Sequence, residues 1–208
     1  MLDQSPLGRH LVVVPISLLA LVLASAQIRP EPTRRLITQA IDESKRVELP
    51  GNTRTEASKS NDRGRVPDSR PMEHMQLQLR LPREKEEELN DLLQKIQDPS
   101  SPNYHKWLTP EQFKEQFSLA PEDIETITNW LKSQGFTVNV INGRSVDFSG
   151  TAGQVRRVFR TEIHYFDVRG VRHIANISDP QIPAALAPAV AGIVSLNDFK
   201  PHPISRVR

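Results

Sequence analysis

The sequence has no cysteine among its 208 residues. That excludes disulfide scaffolds, thiolate zinc sites and cysteine nucleophiles together. Aromatic residues make up only 5%, so any local concentration of them is informative. Charge of one sign is also nearly absent as an excess, because Lys+Arg number 27 and Asp+Glu 25. A sequence pI near 9.0 invites a nucleic-acid reading. The excess is local, however: residues 27–73 carry ten basic and eight acidic groups, while residues 74–208 carry sixteen of each. A neutral folded part has no electrostatic footprint for nucleic acid. No uncharged apolar run reaches the roughly 20 residues that a membrane-spanning helix needs. The longest, LVVVPISLLALVLA from Leu11 to Ala24, has fourteen.

That run fits the apolar region of a secretory signal, and Ala24-Ser25-Ala26 supplies the small residues of a cleavage site. Cleavage after Ala26 is expected, giving a secreted or periplasmic chain with no membrane association. Residues 27–73 read as an extended, proline-rich and mostly flexible arm. Between Pro50 and Pro71 there is almost nothing apolar to repay the ordering entropy of a packed core. RVEL (46–49) is the one stretch there that could add an edge strand.

From residue 74 the patterning becomes regular. HMQLQLRL (74–81) alternates with period two and predicts a strand. Pro82 opens a helix with Leu89, Leu92, Leu93 and Ile96 on one stripe. Helices are predicted over 110–117 and 121–134, the second stopped by Gly135. FTVNVI (136–141) and RSVDFS (144–149) flank Asn142-Gly143, a hairpin signal. Thr151 and Gln154 form a capping box before Val155, Val158 and Phe159. TEIHYFDV (161–168) and VRHIANI (171–177) predict a second hairpin around Arg169-Gly170. A short helical turn over 184–190 leads to a last strand, 192–196. This order gives an α+β domain over 74–200, a ferredoxin-like antiparallel sheet with helices on one face, followed by a C-terminal linker remnant, 201–208.

Chemistry is sparse. Ser149-Gly150-Thr151 resembles a nucleophile turn, but no base and oxyanion donors accompany it, and Thr151 already has a capping role. Six histidines show no metal-ligand spacing, so no metal and no cofactor is expected. In the second hairpin His164 and His173 fall on one sheet face as diagonal neighbours, about 7–8 Å apart. Imidazolium repulsion there suggests a pH sensor, and replacing both by Gln should lower the pH of release. The loop SPNYHKWLTPEQF (101–113) gathers Tyr104, His105, Trp107 and Phe113, either as a self-packed cover or as a docking surface. Asn176-Ile177-Ser178 matches a glycosylation acceptor.

QDPSSPNYHKWLTPEQF (97–113), WLKSQGFTV (130–138), DFSGTAGQVRRVF (147–159) and SDPQIPAALAPAVAGIVSLNDF (178–199) together resemble the pro-kumamolisin activation domain. That domain is the propeptide of the sedolisin family of serine-carboxyl peptidases. The resemblance covers roughly residues 46–200. It implies a ferredoxin-like domain that assists folding of the peptidase and blocks its cleft until acid exposure, with the sedolisin-type catalytic domain as partner. The family's Glu-Asp-Asp-Ser machinery belongs to a later domain, and with the chain stopping at Arg208 no catalytic position carries over. The expectation is therefore a non-enzymatic propeptide, working in trans or as a truncated zymogen fragment. The alternative is an exported, non-catalytic binding module that reuses the fold.

Overall fold

The computed structural model of the chain describes residues 33–199. The expected signal, with its Ala24 and Ala26, and the linker remnant 201–208 lie outside them.

The central element is β3 (Pro71–Leu79), preceded by two short strands, β1 (Arg46–Glu48) and β2 (Asp62–Arg65). Three helices follow: α1 (Arg83–Gln97), α2 (Pro110–Gln116) and α3 (Pro121–Ser133). Then come β4 (Thr137–Ile141), β5 (Ser145–Thr151) and α4 (Ala152–Phe159). The chain continues through β6 (Ile163–Val168), β7 (Val171–Asn176), β8 (Gln181–Pro183), a single 3-10 turn and β9 (Val190–Val194). The main sheet is antiparallel in the order β4-β5-β3-β9. With α3 and α4 as the crossings, this is the βαββαβ ferredoxin-like arrangement.

Period-two alternation decides which face is covered. Met75, Leu77 and Leu79 of β3 and Val146 and Phe148 of β5 are buried. They meet Ile127, Trp130 and Leu131 of α3 and Val155, Val158 and Phe159 of α4 in one core. Phe148 lies between Phe136 and Phe159, with centroid separations of 5.1 and 5.9 Å. On the other face Gln76, Gln78, Ser145, Asp147 and Ser149 remain partly exposed. In α1 the expected stripe narrows: Leu89 and Ile96 are buried, whereas Leu93 is exposed.

Two sequence signals explain how the helices are joined. The Thr151–Gln154 capping box is formed, and the same Gln154 donates its Nε2–H to Gly135 O at 2.7 Å, so one side chain starts α4 and closes the end of α3. Gly135 takes the left-handed conformation, φ +87°, as the helix stop requires. The first hairpin turns one residue later than Asn142-Gly143 implies. Asn142 N–H donates to Ser145 O at 2.9 Å, which centres the reversal on Gly143 and Arg144. Gly143 has φ +70°, and a Cβ there would run into Ser118; the tip is docked on the end of α2 rather than free.

The second hairpin matches its expected register, with Val168 opposite Val171, Phe166 opposite His173 and His164 opposite Ala175. It does not join the main sheet. It forms a separate three-stranded sheet in the order β2-β6-β7.

The segment before residue 74 differs from a flexible arm. RVE does form a strand, which pairs with β8, Val47 opposite Ile182. Beyond it, β2 adds an edge to the second sheet, and Ile37, Leu49, Val66 and Met72 are buried in the common core. Polar ties do the rest. The Asp179 carboxylate accepts from the Gly51 and Asn52 amides and the Thr53 hydroxyl. Asn52 in turn accepts from Ile193 N–H at 2.7 Å on the outer edge of β9. Arg46, with its side chain 9% exposed, pairs with Glu43. Its guanidinium also donates to the carbonyls of Val158 and Gln181. Val158 lies in the last turn of α4, where a cation meets the negative end of the helix.

Replacing Arg46 by Met keeps most of the apolar stem but leaves two carbonyls without their donor. The expected result is a loss of about 2 kcal/mol of stability, read as a lower urea midpoint with unchanged slope. An unaltered midpoint would mean that the segment does not contribute to the cooperative fold.

Candidate functional site

The loop between α1 and α2 is built by successive turns. Tyr104 N–H donates to Ser101 O, Lys106 N–H to Asn103 O and His105 N–H back to Ile96 O, each at 3.0 Å. His105 has φ +55°. Thr109 and Gln112 form a capping box that fixes where α2 begins.

Of the four aromatic residues in 101–113, three lie together. The Tyr104 and His105 rings stack at 3.8 Å, and the His105 and Trp107 rings lie 6.5 Å apart and nearly parallel. This ladder faces solvent, with Tyr104 39% and Trp107 67% exposed. Phe113 leaves the group. It packs against the core and sits 5.4 Å from Phe117. Beside the ladder, Leu108, Pro110, Phe113 and Ile141 line a shallow groove between α2 and the first hairpin. The surface thus combines a large exposed ring, a stacked support and an adjoining apolar trough, the composition that anchors protein contacts.

The two histidines lie on one face of the second sheet, and each has its own carboxylate. His164 Nδ1 is 2.9 Å from Asp62 of β2, and its Nε2 is 3.2 Å from Glu162. His173 Nδ1 is 3.1 Å from Asp198, and its ring stacks on Phe199 at 4.4 Å. Asp198 also accepts the Ile174 amide at 2.9 Å. Each histidine therefore joins an outer segment to the hairpin, and the anions lie closer to each ring than the expected ring-to-ring spacing. Burial pushes the Asp62 carboxyl up. The Gly64 amide, the His164 hydrogen bond and the His164 charge together outweigh it, and the carboxyl sits below its ordinary value.

On the outer face of the main sheet a third pair occurs, His74 Nδ1 to Asp147 at 3.2 Å. Ser149 is close by, so the residue types of a hydrolase trio are present. Their bonding is different. The Ser149 hydroxyl oxygen accepts from the His74 backbone amide and from Asn139 Nδ2, and no imidazole nitrogen among the described residues bonds a hydroxyl. Thr151 serves as the cap of α4. Among the described residues there is no group of three or more His, Asp and Glu side chains placed to hold a metal ion.

The glycosylation acceptor is internal. Asn176 is 0% exposed, and its amide donates to Asn52 O, Thr53 Oγ1 and Ser178 O. The sequence pattern there marks a structural tie to the 49–53 segment rather than an accessible side chain.

The family model for the pro-kumamolisin activation domain matches residues 58–199. Among curated proteins, xanthomonalisin from Xanthomonas sp. is 31% identical over 112 residues, 53% of this chain and 14% of that protein. Sedolisin from Pseudomonas sp. is 27% identical over 125 residues, 59% of this chain and 21% of the relative. Human tripeptidyl-peptidase 1 is 31% identical over 147 residues, 66% of this chain and 25% of the relative. The aligned part of the chain thus spans a quarter or less of the length of these relatives. Among the described residues no helix is long and apolar enough to cross a membrane. With this domain match and this topology, the chain belongs to the pro-kumamolisin activation domain family.

Proposed function

We propose that this chain is an exported activation domain, not itself catalytic, that inhibits a sedolisin-type serine peptidase, assists its folding and releases it at acid pH. The observation that carries the reading is the Tyr104–His105–Trp107 ladder, with its apolar groove, on a domain that packs its own core. An exposed indole supported by a stacked ring gives large contact area at little cost in side-chain entropy. In this reading Trp107 and Tyr104 touch the peptidase. Phe113 positions the groove from below.

Acid sensitivity follows from how the carboxylates are held. Asp62 has a depressed carboxyl. A depressed group adds stability above its ordinary value, here 3.8, and that stability is lost as pH falls through the lower folded value. Asp179 is also depressed: burial raises it, but the Thr53 hydroxyl and the Gly51, Asn52 and Thr53 amides outweigh burial. Both groups loosen the periphery in the same acid window. In this reading His164 sets the acid response through Asp62 rather than through repulsion from His173.

Two outcomes are expected. First, purified chain mixed with a mature sedolisin-type peptidase slows hydrolysis near neutral pH and ceases to do so toward about pH 3. Trp107→Ala weakens this inhibition about tenfold or more without moving the unfolding midpoint. Absence of inhibition from neutral to acid pH would sink the inhibitor reading; full inhibition by Trp107→Ala would remove the loop from the contact. Second, His164→Gln removes a charge that holds Asp62 down. The acid unfolding midpoint, followed by circular dichroism, therefore moves up by a few tenths of a pH unit. This is opposite in sign to the repulsion expectation, and a lowered midpoint would restore that expectation.

A further inference from the structure

We propose that residues 33–41 form an acid-labile strap, latched by Asp123, that lifts from the domain before the main sheet melts. The strap has no strand ladder of its own. Ile37 is buried, with Leu36 and Ile41 partly so. Among the described residues its backbone is held to the body at one place. The amides of Leu36 and Ile37 donate to the two oxygens of the Asp123 carboxylate, at 2.6 and 3.1 Å.

Asp123 is the most deeply buried acidic side chain described, at 0% exposed. It stands in the first turn of α3, whose positive end favours an anion. The residue preceding that helix is Ala120, and the helix start has no side-chain cap. The carboxylate points instead to the strap. Both of its oxygens must accept. A neutral carboxyl places a hydroxyl proton against one of two N–H donors, so at least one bond is lost on protonation. The amide left behind is then buried without a partner unless the strap opens to water.

The charged groups around the latch do not replace it. Arg35 Nε lies 3.9 Å from Asp123 Oδ1 but is half exposed. Glu122 is its neighbour in α3, and Arg34 pairs with Glu84 of α1 at 3.6 Å, both exposed. The Arg34–Glu84 pair, exposed on both sides, contributes little, and Arg35 brings a charge near Asp123 but no hydrogen bond.

The following segment is held differently. Past the turn in which Lys45 N–H donates to Asp42 O at 3.1 Å, the Asp179 carboxylate holds Gly51, Asn52 and Thr53, but the β1–β8 ladder, the Arg46 bonds to carbonyls and the Asn52 and Asn176 amides add ties that need no titrating group. Acid therefore acts on the two halves unequally, and the turn at Asp42–Lys45 is the hinge. The biological meaning, a first step in acid release, rests on the activation-domain reading; the opening itself does not.

The test is amide exchange by NMR on the ¹⁵N-labelled full chain, expressed as protection factors from about pH 7 to pH 3. Protection at Leu36 and Ile37 is expected to fall by about tenfold or more at a pH where the β3 amides keep theirs. Asp123→Asn is expected to show the low strap protection already at neutral pH. Loss of protection at the strap and β3 together, or a strap response to acid that persists in Asp123→Asn, would overturn the proposal. If Asp123→Asn does not fold, Ile37→Ala weakens the apolar anchor and leaves the carboxylate. It should move strap opening to higher pH, and an unmoved response would count against the latch. Peptidase inhibition is not read here, so strap opening without inhibition would sink only the activation reading.

Discussion

The guanidinium of Arg46 joins three parts of the chain that are distant in sequence. It bonds Glu43 in its own segment, the Val158 carbonyl at the end of α4 and the Gln181 carbonyl in β8. Glu43 extends the network by accepting from the Trp130 indole at 2.6 Å. In a chain without cysteine, such a hub does what a covalent bridge would otherwise do. Burial of a charge is costly unless it is paired and hydrogen-bonded; Arg46 meets this at its terminal nitrogens, while its Nε has no partner among the described residues. Once Arg46 is fixed, β1 must lie along β8. The 49–53 loop then reaches Asp179, Asn176 and the outer edge of β9.

That edge is the second consequence. A ferredoxin-like sheet has two open sides, and open strand edges invite unwanted pairing. Asn52 occupies an amide of β9, and Asp198 occupies an amide of β7 in the second sheet. Residues before and after the domain core thus cover edges that the core cannot cover itself. The N-terminal segment is part of the domain for that reason, although it carries few apolar side chains.

This explains which parts of the structure were legible in the sequence. The helices, both hairpins and the βαββαβ order depend on local signals: a capping box at Thr151 and Gln154, glycines at positive φ, and alternation in β3 and β5. The register of His164 and His173 followed from a two-residue turn alone. What the sequence hid was non-local and polar. Nothing in GNTRTEASKSN marks Asn52 as an edge cap, because its partner Ile193 is 141 residues away. Nothing near His164 marks Asp62 as its partner, 102 residues earlier. The second hairpin looked like more of the main sheet because its alternation does not say which strand it will meet. In the loop, aromatic content was visible but direction was not. Phe113 turns inward because α2 starts at the Thr109 cap and carries it to the inner side, while Trp107 precedes the cap and stays outside.

The same distribution bears on the acid response proposed above. Its core is aromatic and aliphatic, centred on Phe136, Phe148 and Phe159, and does not titrate. Its periphery is fastened by carboxylates that accept from backbone amides: Asp62 from Gly64, Asp179 from Gly51 and Asn52, Asp198 from Ile174, Asp123 from Leu36 and Ile37. Protonation weakens all of these ties and none of the apolar contacts. On the activation-domain reading proposed above, acid loosens the outer segments before it reaches the sheet. In that reading the order of events is set by the chemistry of the fasteners: even Asp123, buried as it is, holds an outer segment rather than the sheet.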